Sequence, residues 1–292
     1  MMVNYNESEA NTLVVTTALR LRYDDIFRAF ERHCAKNQIK FVEIEAKNLW
    51  ARDYLPIQVE DTFIKFRYGY DKDNPRFPNL SVRRRDWSWL PNLRPSAIRL
   101  DGGNVVRMNS QIIMTDIIFR HNPTWHKTKL VAKLEGLLQG NITLVPTEPG
   151  DDIGHTDGIC HWTPSGHLLV NDYSMCGTRV SDRYYTRLCK ALNNFCCIAF
   201  PYAYAKRPKL TEKQFRTQFP DADTFNSGYG YYINLLQVGK LVFLPEFMIE
   251  EDDAAIRIAR ENFPGSEIVP VMCENLSMEG GLTNCVSASY RF

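Results

Sequence analysis

Two short β runs flank Asn109-Ser110 between Val105 and Asp116, and apolar positions then recur at helical spacing from about His126 to Gln139. Ile142 to Val145 reads as a buried strand that ends in the corner Pro149-Gly150-Asp151-Asp152. The same order returns with a hairpin over Gly158 to Asp172, a helix over Ser181 to Asn193 and a strand over Cys196 to Phe200. It returns again with a hairpin over Tyr231 to Phe247 turning near Gly239, a helix over Asp252 to Asn262 and a strand over Glu267 to Val271. Weaker copies fit the first hundred residues, where Tyr23 to Asn37 reads as a helix and Phe41 to Ile44 as a strand. Recurrence at roughly sixty residues predicts pseudo-symmetric ββαβ units sharing one core. An α/β domain without internal symmetry is the alternative.

Arg76 to Arg94 departs from this pattern. Pro78 and Pro91 lie inside it, Pro75 and Pro95 at its edges, and the segment is expected to be an irregular surface insertion. Arg76, Arg83, Arg84, Arg85 and Arg94 face a lone Asp86 there, among Phe77, Trp87 and Trp89. A solvated loop and a substrate-facing lid both fit.

Composition narrows the function. With 292 residues and 44% hydrophobic content the chain can bury a sizeable core, and it is read as one catalytic domain over 1–292. Lys and Arg total 35 against 34 Asp and Glu, which gives no general attraction to nucleic acid or to an anionic membrane. The polar, acidic N-terminus and the lack of a long apolar stretch lead us to expect a cytoplasmic protein. Eight cysteines without CxxC pairing read as free thiols, one of which can do chemistry.

Four polar clusters fall where strands end: Trp50-Ala51-Arg52-Asp53, Asp101-Gly102-Gly103-Asn104, Gly154-His155-Thr156-Asp157 and Gly280-Gly281-Leu282-Thr283-Asn284-Cys285. Strand ends are where α/β proteins bind ligands, although each cluster alone serves equally well as a turn. Together, WARDYLP at 50–56, LDGGN at 100–104, GDDIGHTDG at 150–158, YYINLL at 231–236 and GGLTNC at 280–285 resemble the guanidine-modifying, or pentein, superfamily. The closest resemblance is to its agmatine deiminase and bacterial-type peptidylarginine deiminase branch. The resemblance implies a fivefold pseudo-symmetric α/β propeller of ββαβ units. It implies Asp53 and Asp157 as guanidinium-binding carboxylates, His155 as general acid/base, Asp101 as the acid that orients it and Cys285 as nucleophile. Trp50 and Arg76 are further expected substrate-binding residues. Asp101 stands where the family usually has Glu, and Asn284 where it often has His.

The chemistry independently asks for these residue types. A guanidinium is a planar cation with a fork of donors, matched by two carboxylates through charge-assisted hydrogen bonds. Attack on its central carbon needs a thiolate, and a cation bound alongside favours the charged sulfur. No metal or other cofactor is required. The expected substrate is a small guanidino compound or an arginine-containing peptide. The arginines of 76–94 favour a carboxylate at its far end, hence arginine over agmatine. A metal-dependent hydrolase using Asp152, His155, Asp157, Cys160 and His161 is one rival. An amidinotransferase of the same fold and a non-catalytic guanidinium-binding module are others.

Overall fold

The computed structural model describes residues 6–69, 87–220 and 227–292. After Thr12–Thr16 (β1), helix Asp24–Lys36 crosses over to Lys40–Ile44 (β2), which pairs parallel to β1. A hairpin of Ile57–Val59 (β3) and Thr62–Arg67 (β4) precedes Leu93–Arg99 (β5). Val106–Met108 (β6) and Gln111–Thr115 (β7) lead through helix Lys127–Leu138 to Asn141–Val145 (β8). Cys160–Trp162 (β9) and Leu168–Asn171 (β10) lead through helix Arg179–Ala191 to Cys197–Phe200 (β11). Leu236–Val238 (β12) and Leu241–Glu246 (β13) lead through helix Glu251–Asn262 to Glu267–Met272 (β14). Ala288–Tyr290 (β15) ends the series.

Among the described residues these strands form five three-stranded sheets, β3-β4-β5, β6-β7-β8, β9-β10-β11, β12-β13-β14 and β15-β1-β2. In each, a short strand pairs antiparallel with the middle strand, which pairs parallel with the third. The parallel pair needs a crossover, which explains the recurring helix. The fifth sheet joins the two ends of the chain: Thr12 lies opposite Tyr290 and Val14 opposite Ala288, so the C-terminal strand closes the ring.

Each crossover helix buries one stripe against the sheets. Ile26, Phe27, Phe30 and Cys34 do so in the first, Leu130, Leu134 and Leu138 in the second. Phe30 meets Phe243 at 4.6 Å between ring centroids, packing one unit against another. The middle strands are buried along most of their length and read as apolar runs, whereas the short strands border an axial cavity with polar side chains. Gln58, Arg107, His161, Gln237 and Ser289 occupy the central position of β3, β6, β9, β12 and β15 in turn. The turns that feed these five short strands meet at one pole, and the hairpin ends lie at the other.

Pro75 and Pro78 lie outside the described residues, and of the other two prolines Pro95 departs from the expectation. Pro95 lies inside β5, an outer strand of its sheet, where a missing N–H is tolerated. Trp89 packs near Tyr290 and Phe292, at the hairpin pole. No helix among the described residues is long and apolar enough to cross a membrane.

Candidate active site

Asp53 sits in the short helix Ala51–Tyr54, which Asn48 starts by accepting from Trp50 N at 2.8 Å. The turn is tied to the Cys285 loop, because Arg52 N donates to Cys285 O at 3.1 Å. Asn104 joins the next two clusters: its Oδ1 accepts from Thr115 N at 2.9 Å and from Thr156 Oγ1 at 2.7 Å. The Cys285 loop is held in turn by Thr283, whose hydroxyl donates to Asn234 O at 3.0 Å. Four turns far apart in sequence are thereby locked together by backbone and short polar side chains.

The arrangement brings Asp53, Asp101, His155, Asp157 and Cys285 to one place. His155 Nδ1 stands 3.4 Å from Asp53 Oδ1, and its Nε2 stands 3.4 Å from Asp101 Oδ2. Cys285 Sγ lies 3.9 Å from Asp157 Oδ2 and 3.3 Å from Asn234 Oδ1. Asn284 Nδ2 donates to Asp157 Oδ2 at 2.7 Å. Oδ1 of Asp53 and Oδ1 of Asp101 are buried without a hydrogen-bond partner, leaving acceptor capacity for a cationic donor.

Two glycines permit this closeness. A Cβ on Gly103 would stand 2.6 Å from His155 Nδ1 and 2.9 Å from Asp53 Oδ1, so any larger residue intrudes between acid and imidazole. A Cβ on Gly281 would run into the Trp50 ring, which lies over that glycine. Trp50 therefore packs against the loop that carries Cys285.

Electrostatics follows from crowding. Burial pushes Asp53 up to about 7, against the pull of the His155 charge. Burial also opposes charge on His155, but Asp53, Asp101 and Asp157 together outweigh it and raise the imidazole to about 10. Burial raises the Cys285 thiol well above its ordinary value, with Asp157 and Asp53 adding to the effect. Both effects favour a protonated sulfur and a charged imidazole.

A cavity of about 170 Å³ opens onto His155, Asp157 and Cys285. Its further wall includes Glu148, Asp151, Tyr204 and Tyr231, and no Lys or Arg lines it among the described residues. Glu148, which sequence reasoning missed, accepts from Tyr202 at 2.9 Å, Tyr173 at 3.0 Å and Tyr231 at 3.1 Å. Burial raises its carboxyl to about 7 despite those three hydroxyls. Asn234 was missed too, although an amide in the apolar run YYINLL was a usable signal.

Arg76 and Arg83 to Arg85 lie outside the described residues. Arg94 is exposed on the outer strand β5 and does not line the cavity. The donors of the metal-hydrolase reading do not converge: Asp152 points to solvent beside Arg120, while His161 Nε2 faces Glu7 in the axial cavity at 3.8 Å. No group of three or more His, Cys, Asp and Glu among the described residues is placed to hold a metal ion.

Five three-stranded mixed sheets around an axis, with acids, a histidine and a cysteine at one pole, define the pentein class of α/β propeller. The chain belongs to the Porphyromonas-type peptidyl-arginine deiminase family, which it matches over residues 3–290. Its fold is similar to that of the C. jejuni agmatine deiminase, with a TM-score of 0.74 at 12% identity over 100% of this chain and 97% of that one. The agmatine deiminase of Enterococcus faecalis gives 0.69 at 15% identity, over 98% and 94% of the two chains. A DDAH from Pseudomonas aeruginosa gives 0.60 at 11% identity, over 96% and 99%. No curated protein sequence matches the chain.

Proposed function

We propose that this protein hydrolyses the guanidinium group of a small substrate, releasing ammonia through a covalent intermediate on Cys285. The observation that carries this reading is a thiol set among carboxylates, with Asp157 on one side of the sulfur and the His155–Asp53 pair beside it. Asp53 and Asp157 take the guanidinium cation, whose charge offsets theirs and lowers the thiol toward the thiolate, its proton passing to solvent. The sulfur attacks the central carbon to give a tetrahedral adduct. The C–N bond to one terminal nitrogen then breaks, His155 gives that nitrogen its proton, and ammonia leaves a thiouronium on sulfur. His155, now neutral and steadied by Asp101, takes a proton from water. The resulting hydroxide adds to the same carbon, the C–S bond breaks as the adduct's hydroxyl proton passes to the sulfur, and a ureido product and the thiol result.

The acidic wall of Glu148 and Asp151 favours a substrate with an amine at its far end. The carboxylate-ended substrate, arginine, was expected from the basic segment and gains no support from the described wall. Citrulline-type and ammonia assays on agmatine, free arginine and arginine peptides test both points. Agmatine is expected to give the highest kcat/KM. Absence of ammonia release from every guanidino compound would overturn the deiminase reading.

A further inference from the structure

At the far side of Asp157 the protein holds a guanidinium of its own. Arg52, one residue before Asp53, turns away from the substrate cavity, and its Nη2 donates to Asn284 Oδ1 at 2.5 Å. An arginine can only donate, so the amide must present its oxygen to Arg52 and its nitrogen to Asp157, where it donates at 2.7 Å. Asn284 is thus an insulator between an internal guanidinium and a carboxylate that is to bind an external one. Burial raises the Asp157 carboxyl, and the Arg52 charge is among the groups that act against that rise. Something must keep the arginine from closing on Asp157 directly.

That group is Glu7. It lies in the 3₁₀ turn Glu7–Glu9, reaches into the axial cavity, and its Oε1 stands 3.3 Å from Arg52 Nη1. Its backbone is fixed there, since Glu7 O accepts from Gly239 N at 2.9 Å and from Ala10 N at 3.1 Å. The other oxygen of its carboxylate faces His161 Nε2 at 3.8 Å. The pair is largely shielded from water, with the Arg52 side chain 15% exposed, so the attraction is not dissipated by solvent.

Building on the deiminase reading, we infer that Glu7 is a positioning residue for substrate binding: by holding Arg52 it keeps a resident guanidinium off Asp157 and leaves that carboxylate free for the substrate. Neutralising Glu7 releases Arg52 to compete intramolecularly for the same acid. The substrate then has to displace a cation before it binds, which raises KM more than it lowers kcat.

The experiment compares wild type with Glu7→Gln and Glu7→Asp. In Glu7→Gln the KM for agmatine is expected to rise about tenfold, the scale of one charge-assisted contact, with kcat and Tm little changed. Glu7→Asp, which keeps the charge, is expected to recover most of the loss. A second readout needs no substrate: the rate at which iodoacetamide alkylates Cys285 at fixed pH, followed by mass spectrometry. Because Asp157 helps keep that sulfur protonated, pairing of Arg52 with Asp157 is expected to speed alkylation severalfold in Glu7→Gln. If wild type turns over no guanidino compound, the deiminase reading fails while alkylation still decides the role of Glu7. Unchanged alkylation and KM in Glu7→Gln, or a loss that tracks Tm and is equal in Glu7→Asp, overturns the inference.

Discussion

The sulfur of Cys285 faces Oδ2 of Asp157 at 3.9 Å, so the proposed nucleophile sits beside a carboxylate. A nucleophile in that position is quiet until a cation arrives between the two. On the proposed mechanism this places the trigger for thiolate formation on the substrate, and slow alkylation of Cys285 in its absence is the expected sign.

The first prediction follows from that pairing. Cys285→Ala is expected to abolish turnover while retaining substrate binding, because Asp53 and Asp157 remain. Asp157→Asn is expected to lower the resting thiol pKa and speed alkylation of Cys285 at pH 8. A Cys285→Ala enzyme with near-normal ammonia release, or a substrate adduct found on another cysteine, would remove Cys285 from the mechanism.

Asp53→Asn and Asp157→Asn are each expected to weaken binding and slow chemistry together. Each leaves a desolvated cation short of one charge, on the scale of about 2–5 kcal/mol. Calorimetry in the Cys285→Ala background separates the binding part from the chemical part. Wild-type affinity in both asparagine variants would show that these acids are only turn residues.

Gly103→Ala inserts a methyl group 2.6 Å from His155 Nδ1 and 2.9 Å from Asp53 Oδ1. One of the two groups has to move, so activity is expected to fall by about two orders of magnitude, typical of a displaced catalytic group. The fold is expected to survive, since the new methyl group meets side chains that can shift. The check is kcat/KM beside a thermal melt, and unchanged kinetics would contradict the close approach.

Glu148 gives a pH prediction with a definite sign. Its folded carboxyl is raised to about 7 from 4.5, so its contribution to stability is fully present below pH 4.5 and lost as pH rises through 7. The scale is on the order of 3 kcal/mol. Glu148→Gln, which cannot ionise, is expected to flatten the fall in Tm between pH 5 and pH 8. Parallel Tm curves for variant and wild type across that range would refute it.

Much of the fold was legible in the chain. Helix Lys127–Leu138 agrees with the predicted His126 to Gln139 because Leu130, Leu134 and Leu138 repeat at one helical face. Strand β14 agrees with Glu267 to Val271 because Val269 and Val271 alternate inward between polar corners. The second unit was less legible, since Pro91 and Pro95 suggest irregular chain. A proline on an outer strand gives up an N–H that its sheet does not need, and sequence does not reveal which strands are outer.

The sequence by itself determined the repeating ββαβ order and the residue types at the strand ends, because both are local: periodicity, turn chemistry, and the pairing of glycines with acids or a cysteine. Only the tertiary structure decided that β15 pairs with β1 to close the ring, which depends on pairs such as Thr12 with Tyr290, 278 residues apart. It alone decided that Glu7 stands against Arg52, that Glu148 is ringed by three tyrosines, and that Trp50 lies over Gly281. Those placements are set by how five units pack about a common axis, and no window of the chain carries that information.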